Sequence, residues 1–358
     1  MFKFNELKTI HLEITSRCQA SCPMCPRNFH GGLPNPNLVL ADWTIDDFIQ
    51  IFNKEVCEQL TGVYFCGNFG DPIINDDLID MCQYLKDNCP NINLRIHTNG
   101  GARSVDWWKR LREALPNNHV VIFALDGLED THHLYRIGTK YETVIRNAQA
   151  FINAGGTAEW VFIKFKHNEH QAEEAEKRSK ELGFERFSMK NTIRFIGDTK
   201  YSVKDKHGEH QYFLEPPDTN EVTLIDKDTI AGFDKWYNET EIECYVQKEK
   251  EIYIDAHRNI FPCCFLASAP YNYSDTKDMI KHIKTRIEEQ YYELVDSLGG
   301  LENLHTLNRS VKEIIDDPKW QTAWYKYWTE NKLITCARVC GKTKLSKPVD
   351  QFVKRSSN

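Results

Sequence analysis

Long apolar runs are missing from this 358-residue sequence. None approaches the roughly 18 to 20 consecutive apolar residues of a membrane-crossing helix, so no membrane partner is expected. A basic block is missing too. The 45 Lys and Arg are scattered among 52 Asp and Glu, for a net charge of −7, and no nucleic-acid partner is expected. No signal-peptide pattern opens the chain, so a cytoplasmic location is expected.

Cysteine, by contrast, is in excess. Twelve are too many for an ordinary cytosolic protein of this size. They are too unevenly spread for a secreted disulfide scaffold, because positions 57 to 89 and 244 to 264 hold most of those outside the first group. Oxygen-sensitive metal clusters in a reducing compartment fit that distribution. The length leaves room for one large domain, a smaller one and a sizeable core.

The first group is Cys18-Gln-Ala-Ser-Cys22-Pro-Met-Cys25, directly after the alternating run Thr9-Ile-His-Leu-Glu-Ile-Thr15. The alternation predicts a strand, and Pro23 and Pro26 keep the following segment out of helix. Three thiols spaced C-x3-C-x2-C on a loop can converge on one soft metal centre. Four would close a zinc site or an iron–sulfur cube, whereas three leave one iron of a [4Fe–4S] cube open to a small molecule. A zinc knuckle and three unrelated buried cysteines are the alternatives.

Strands and helices then alternate. A capping-box-like Thr44-Ile-Asp-Asp47 opens a helix predicted over 44–58. Gly62-Val-Tyr-Phe-Cys-Gly67 reads as a second strand, turning out through Asn68-Phe-Gly-Asp-Pro72. A helix at 76–88 leads to a third strand, Asn93–His97, which ends in Thr98-Asn-Gly100. Val120–Leu125 reads as a buried strand closed by Asp126-Gly127. Helically spaced Val144, Ala148, Phe151 and Ile152 precede a fifth strand, Trp160–Phe165, ending near Asn168. A charged helix at 170–182 leads to a sixth strand at Arg186–Met189. Six such repeats make a parallel β/α array with its site at the strand C-terminal ends, and six cannot close an eight-stranded barrel.

Together these elements resemble the radical S-adenosylmethionine (SAM) enzymes. The resemblance implies a partial (β/α)6 TIM-type barrel over about residues 6 to 195, with Cys18, Cys22 and Cys25 holding a [4Fe–4S] cluster whose open iron chelates SAM. The segment Gly70-Asp71-Pro72 resembles the family's Gly-Gly-Glu-Pro element, so Gly70 and Asp71 are expected at the SAM ammonium. Thr98 and Asn99 resemble the strand end near the ribose. Asp126 lies in the strand end that resembles Ser-x-Asp-Gly, Asn168 ends the fifth strand, and both, with Pro72, are expected among the SAM-binding residues. His132, His133, Tyr135 and Arg136 resemble the elements that follow, and Arg136 is the candidate for the SAM carboxylate. A surface salt bridge is its competing role, with Lys164 and Lys166 next in line for the carboxylate. Gln19 stands where Asn is common, and Met24 stands where an aromatic residue is common, its soft side chain suited to cover the adenine.

A second cysteine group follows. Cys244 precedes an alternating strand at Glu251–Asp255, a turn, and a returning strand ending in Pro262-Cys263-Cys264. Ser310-Val-Lys-Glu313 caps a short helix, another helix rich in Trp and Tyr follows at about 318–331, and Cys336-Ala-Arg-Val-Cys340 comes after it. Four thiolates there suit a structural zinc site as well as a cluster. The text from 244 to 340 resembles the SPASM or shorter twitch extension of radical SAM enzymes. That implies one auxiliary [4Fe–4S] cluster on Cys244, Cys263, Cys336 and Cys340, with Cys264 a possible replacement for Cys263. Arg258 stands where a turn Gly is usual, and the last pair is C-x3-C rather than C-x2-C. Cys57, Cys66, Cys82 and Cys89 read as plain core residues.

The expected organisation is therefore α/β. A radical SAM core over 1–195 is followed by a linker or substrate-contacting segment at 196–240, a small α+β auxiliary-cluster domain over 241–345, and a tail at 346–358. The resemblance implies reductive cleavage of SAM to a 5′-deoxyadenosyl radical, hydrogen abstraction from a substrate, and a flavodoxin- or ferredoxin-type electron donor. Oxidative modification of a peptide or protein is the first expectation, although no peptide-recognition extension is expected before residue 6. Dehydrogenation or rearrangement of a sugar, aminoglycoside or nucleotide precursor is the second. Sulfatase maturation is disfavoured, because Cys264 occupies the position of an Asp that resembles a general base in those enzymes. A non-enzymatic zinc- or cluster-binding interaction protein is the reading from another class.

Overall fold

A computed structural model describes residues 1–192, 194–195, 200–218, 231–271 and 281–343, together with the backbone of 352–357. The six expected strands are present: β1 (Thr9–Leu12), β2 (Gly62–Phe65), β3 (Asn93–Thr98), β4 (His119–Ala124), β5 (Ala158–Lys164) and β6 (Arg186–Asn191). They lie side by side in chain order and all run parallel. That order follows from the crossover helix after each strand, because a parallel neighbour is reached only by returning along the sheet. The sheet does not close into a barrel.

Alternation along each strand splits the sheet into two unlike faces. Ile10, Leu12, Val63, Phe65, Leu94, Ile96, Phe123 and Trp160 all join one apolar core with Phe48, Leu85, Trp108 and Phe151 of the helices. Each such side chain contributes about 1.5 to 3 kcal/mol on burial. The other face is polar. His11 and Tyr64 pack at 4.7 Å between ring centroids, as do Tyr64 and His97. Below them Glu159 pairs with Arg95 and Arg186 at 3.7 and 3.2 Å. Cys57, Cys82 and Cys89 are fully buried core residues as expected, but Cys66 is only partly buried and follows Tyr64 and Phe65 at the end of β2.

Several elements differ from expectation. The helix at 44–58 is two helices, α1 (Ile45–Ile51) and α2 (Lys54–Gln59). Thr44 and Asp47 form the expected capping box on the first, and Asn53 caps the second after Phe52 leaves helical geometry. A further helix, α3 (Val105–Ala114), starts at Ser104, whose hydroxyl accepts from Trp107 N. Part of the segment expected as a linker is ordered into a hairpin. Its strands are β7 (Tyr201–Lys204) and β8 (His210–Leu214), and a helix at Phe233–Glu239 follows. Residues 196–199 and 219–230 of that segment lie outside the described residues.

The C-terminal part is joined to the core through the sheet. Strand β9 (Glu251–Ile254) runs parallel to β1 on its free side, and β10 (Ile260–Phe261) returns antiparallel to β9. Part of the expected tail is strand β11 (Phe352–Ser357), antiparallel to β6 at the opposite edge. Open strand edges carry unpaired N–H and C=O groups, and both ends of the core sheet are satisfied in this way. Arg258 sits in the β9–β10 turn at φ +70°. Its side chain offsets the left-handed backbone there, donating to Asp47 Oδ2 at 3.0 Å and to the Asp42 carbonyl at 2.7 Å. No helix among the described residues is long and apolar enough to cross a membrane.

Candidate active site

The cysteine loop leaves β1 and is held from several sides. Arg27 Nη2 donates to the carbonyls of Cys18 and Ala20 at 2.8 and 2.9 Å, and Ser21 N donates to Ile137 O at 2.7 Å. The β7–β8 hairpin lies against it: Val203 and Leu214 share a small apolar cluster with Ala20, Cys22, Met24, Tyr135 and Phe165. Tyr201 donates to Pro23 O at 3.0 Å, and Arg194 to Met24 O at 2.6 Å. Met24 is therefore buried under the hairpin. Cys18 and Cys25 keep partial exposure while Cys22 is buried.

Two of the three thiols face a side-chain donor. Asn99 Nδ2 lies 3.4 Å from Cys18 Sγ, and Arg136 Nη1 lies 3.7 Å from Cys22 Sγ. Burial pushes both thiols up, reinforced at Cys18 by Asp71 and opposed at Cys22 by the Arg136 charge. A thiolate ligand at either position reverses the first effect and draws on these donors. Gln19 also finds a role. Its Nε2 donates to Asn99 Oδ1 at 2.5 Å, fixing the amide that reaches Cys18.

The 67–72 turn meets the same region. Asp71 N donates to Arg17 O at 2.9 Å, beside the loop. A Cβ on Gly70 would stand 1.8 Å from the Thr15 carbonyl oxygen, so only glycine allows this approach. Pro72 opens the 3-10 turn Pro72–Ile74, which Asp71 caps through Ile73 N at 3.2 Å. The other Asp71 oxygen accepts from Asn99 N at 2.7 Å and Thr98 Oγ1 at 3.1 Å. Asp71 therefore knits the β2 and β3 strand ends together, with one of about four lone-pair sites left for a ligand. Burial raises its pKa against those donors.

Asp126, fully buried at the end of β4, accepts from Ile163 N and from Arg136 Nε at 2.5 and 2.6 Å. Burial works against both charges, but at Arg136 it is outweighed by Asp126 together with Cys22 and Tyr135, and the pKa rises. With its side chain 15% exposed, Arg136 is no surface residue. Its Nε is engaged while Nη1 faces the cysteine loop. Asn168 is different: its amide is spent within its own turn, accepting from Phe165 N at 2.7 Å and donating to Ile163 O at 3.0 Å. It shapes the end of β5. Lys166 pairs with Glu215 and Asp218 instead of facing this site.

Three thiols, a glycine turn, and the ends of β1 to β4 are thus gathered at one end of a parallel sheet. Residues 12–174 match the family model described as the radical SAM superfamily. This segment is a radical SAM domain. The superfamily uses a [4Fe–4S] cluster and SAM, and the donor set around Cys18, Cys22 and Cys25 fits both. A protein of Pyrococcus furiosus, the tungsten-containing aldehyde ferredoxin oxidoreductase cofactor-modifying protein, is 29% identical over 133 residues. That match covers 37% of this chain and 34% of the relative, so the chain spans about a third of it. SuiB of Streptococcus suis bound to SAM is similar at 15% identity and TM-score 0.48, over 78% of this chain and 65% of that one. The protein anSMEcpe, solved with SAM and the Cp18Cys peptide, is similar at 17% identity and TM-score 0.48, over 87% and 81%. BtrN with SAM and 2-DOIA is similar at 12% identity and TM-score 0.43, over 99% and 100%.

Beyond the radical SAM domain the other thiols also gather. Cys244, Cys263, Cys336 and Cys340 line one narrow enclosed cavity together with Phe265, Trp324 and Trp328. Cys336 and Cys340 lie on the helix Ile334–Cys340, where a spacing of four puts both on one face. This is why C-x3-C serves here. The Ile242–Gly341 bridge and the Glu243 N to Cys340 O bond, 2.9 Å, bring Cys244 alongside, and its thiol hydrogen-bonds to that of Cys340. Cys264 is not in that lining, and its carbonyl accepts from Asn68 Nδ2 at 2.9 Å. Among the described residues no three His, Cys, Asp or Glu side chains converge as tightly as a single ion requires, so these thiols line a space.

Two further residues and one hairpin are added to the site by the fold. Glu13 and Tyr253 join behind the 67–70 turn, and the β7–β8 hairpin covers the cysteine loop. The hairpin had one sequence signal, the Asp205-Lys-His-Gly208 turn between two aromatic-containing runs.

Proposed function

We propose that this chain is a radical SAM enzyme with an auxiliary [4Fe–4S] cluster, oxidatively modifying a peptide or protein in a reducing cytoplasm. The observation that carries the reading is the convergence of the Cys18–Cys25 loop, the Gly70–Asp71 turn, Asn99 and Arg136. When bound, the cluster and SAM supply reductive sulfonium cleavage, the chemistry that yields a hydrogen-abstracting 5′-deoxyadenosyl radical. The chain's own residues do the rest. Cys18, Cys22 and Cys25 bind three irons, and Asn99 and Arg136 lower the cost of thiolate charge there. Arg136 would hold the SAM carboxylate through Nη2, the nitrogen engaged with neither Asp126 nor Cys22, while the Gly70 turn and Asp71 would face the ammonium. The β7–β8 hairpin excludes water from the outer side of the loop. A flavodoxin- or ferredoxin-type protein supplies the electron.

A peptide or protein is the substrate class that the SPASM and twitch resemblance favours, with a small sugar or nucleotide precursor as the alternative. Reconstituted protein reduced with dithionite is expected to convert SAM slowly to 5′-deoxyadenosine and methionine. A short peptide encoded beside the gene should accelerate this and carry its hydrogen into the 5′-deoxyadenosine. Binding of SAM without cleavage under several reductants would defeat the enzyme reading, and acceleration by a sugar precursor alone would defeat the peptide.

The four-thiol cavity is the support for an auxiliary cluster on Cys244, Cys263, Cys336 and Cys340. Cys263→Ala should remove about four irons and Cys264→Ala none. Stoichiometric zinc in that cavity, with a single cube in the protein, would replace the auxiliary cluster by a structural zinc site. Colourless zinc protein without SAM affinity would make the chain a binding module.

A further inference from the structure

Glu13 stands at the end of β1 and is 2% exposed. A carboxylate so deeply buried is costly unless its oxygens are engaged. Here Oε1 accepts from Phe69 N at 2.8 Å and from Gly70 N at 3.0 Å, and Oε2 accepts from the Tyr253 hydroxyl. The two backbone donors belong to the 67–72 turn. Tyr253 belongs to β9, 240 residues further along the chain. Asn68, within the turn, donates to Tyr253 Oη at 3.3 Å and to the Cys264 carbonyl at 2.9 Å. The turn is thus tied to the C-terminal hairpin at two points.

The strand register explains why these groups meet. Leu12 lies between Phe65 and Ile254 in the sheet, so the next residue, Glu13, emerges between the β2 turn and the end of β9. Glu13 N donates to Ile254 O at 3.0 Å, which completes that seat. A Cβ on Gly67 would lie 2.6 Å from Glu13 Oε1, so the turn is wrapped closely around the carboxylate.

We propose that Glu13 and Tyr253 form a positioning pair through which the C-terminal hairpin sets the shape of the Gly67–Asp71 turn, and with it the affinity for SAM. The proposal rests on the reading of that turn as the seat of the SAM ammonium. Glu13 touches no reacting atom. It orients two amides whose carbonyl and side-chain neighbours face the ligand, and Tyr253 fixes the orientation of Glu13. The hairpin ending in Cys263 thereby contributes to SAM binding without touching it.

Two readouts test this. In protein without cluster or SAM, the Phe69 and Gly70 amides should exchange with deuterium faster in Glu13→Ala and Tyr253→Phe than in wild type. In reconstituted protein of full iron content, Glu13→Ala should weaken SAM binding about tenfold or more and Tyr253→Phe about three- to tenfold. Glu13→Gln keeps an acceptor oxygen for both amides and should restore affinity to within about threefold of wild type. Tyr253→Phe removes only a hydroxyl and decides the matter where Glu13→Ala does not fold. Unchanged exchange and unchanged SAM affinity in Tyr253→Phe would overturn the pair. Asp71→Ala separates the two levels. If it too leaves SAM affinity unchanged, the turn is not the SAM seat; if it weakens binding while Tyr253→Phe does not, only the positioning pair fails.

Discussion

Replacing Cys18, Cys22 and Cys25 together by alanine should halve the iron of anaerobically reconstituted protein, from about eight atoms to about four. It should also abolish conversion of SAM to 5′-deoxyadenosine. The three positions are on a loop whose backbone is held independently by Arg27, Ser21 and the β7–β8 hairpin. The loop should therefore keep its path when the thiols are gone, and the four-thiol cavity lies on other elements and should keep its own metal. Wild-type loading should fall with falling pH. Burial already raises the Cys18 and Cys22 thiols above their ordinary range, so each proton must be displaced against a larger bias as pH drops. An iron content unchanged by the triple substitution would show that these cysteines hold no cluster.

Arg136→Ala should act twice. Removing the guanidinium takes away a charged partner for the SAM carboxylate, and charged hydrogen bonds of this kind contribute roughly 1.5 to 3 kcal/mol, about one to two decades of affinity. It also leaves Asp126 fully buried without its ion-pair partner, a change that costs about 3 to 5 kcal/mol of stability. The pH dependence separates the two. Burial already raises the Asp126 pKa, and losing Arg136 raises it further. A raised carboxyl pKa leaves stability intact while the group stays protonated and removes it as pH rises. The stability deficit of Arg136→Ala should therefore shrink towards low pH and widen from the ordinary carboxyl range upward. Arg136→Lys should recover part of both losses, since an ammonium pairs with Asp126 but cannot reproduce the fork. Titration of the cluster's EPR signal with SAM measures the affinity, and thermal unfolding across pH measures the stability. Wild-type SAM affinity in folded Arg136→Ala would transfer the carboxylate to another residue, with Lys164 the next candidate.

The parts of this site that could be read in the sequence are those made by neighbours in the chain. The C-x3-C-x2-C loop, the Asn68–Pro72 turn, the Thr98–Gly100 strand end and the Thr44 and Ser310 capping boxes are all local patterns, and all lie where their spacing puts them. The helix Ile334–Cys340 was not read from the sequence, and it is this helix that puts the C-x3-C pair on one face. The break between α1 and α2 was hidden because Phe52 and Asn53 interrupt an otherwise helical pattern by a single turn, which Asn53 then caps.

Roles that depend on pairing across the sheet could not be read this way. A lone Glu in Leu12-Glu-Ile14 looks like any strand residue, and nothing local joins it to Tyr253. Only the parallel register of β1 with β9 does so. The same holds for Arg258, whose left-handed backbone makes sense beside Asp42 and Asp47, and for the pairing of Arg136 with buried Asp126, which takes that candidate off the surface. Between adjacent Cys263 and Cys264 the resemblance favoured the first and left the second as a possible replacement. The structure separates them, because Cys263 is extended and lines the cavity whereas Cys264 opens the helix Cys264–Ala267 and does not. Composition, periodicity and spacing determined the α/β class, the six parallel units and the first cysteine group, since each arises from interactions within a few residues, whereas the second cysteine set was what the resemblance implied. Which charge is buried beside which, and which thiol meets which, was decided by the tertiary structure, because sheet register and chain crossing set those distances.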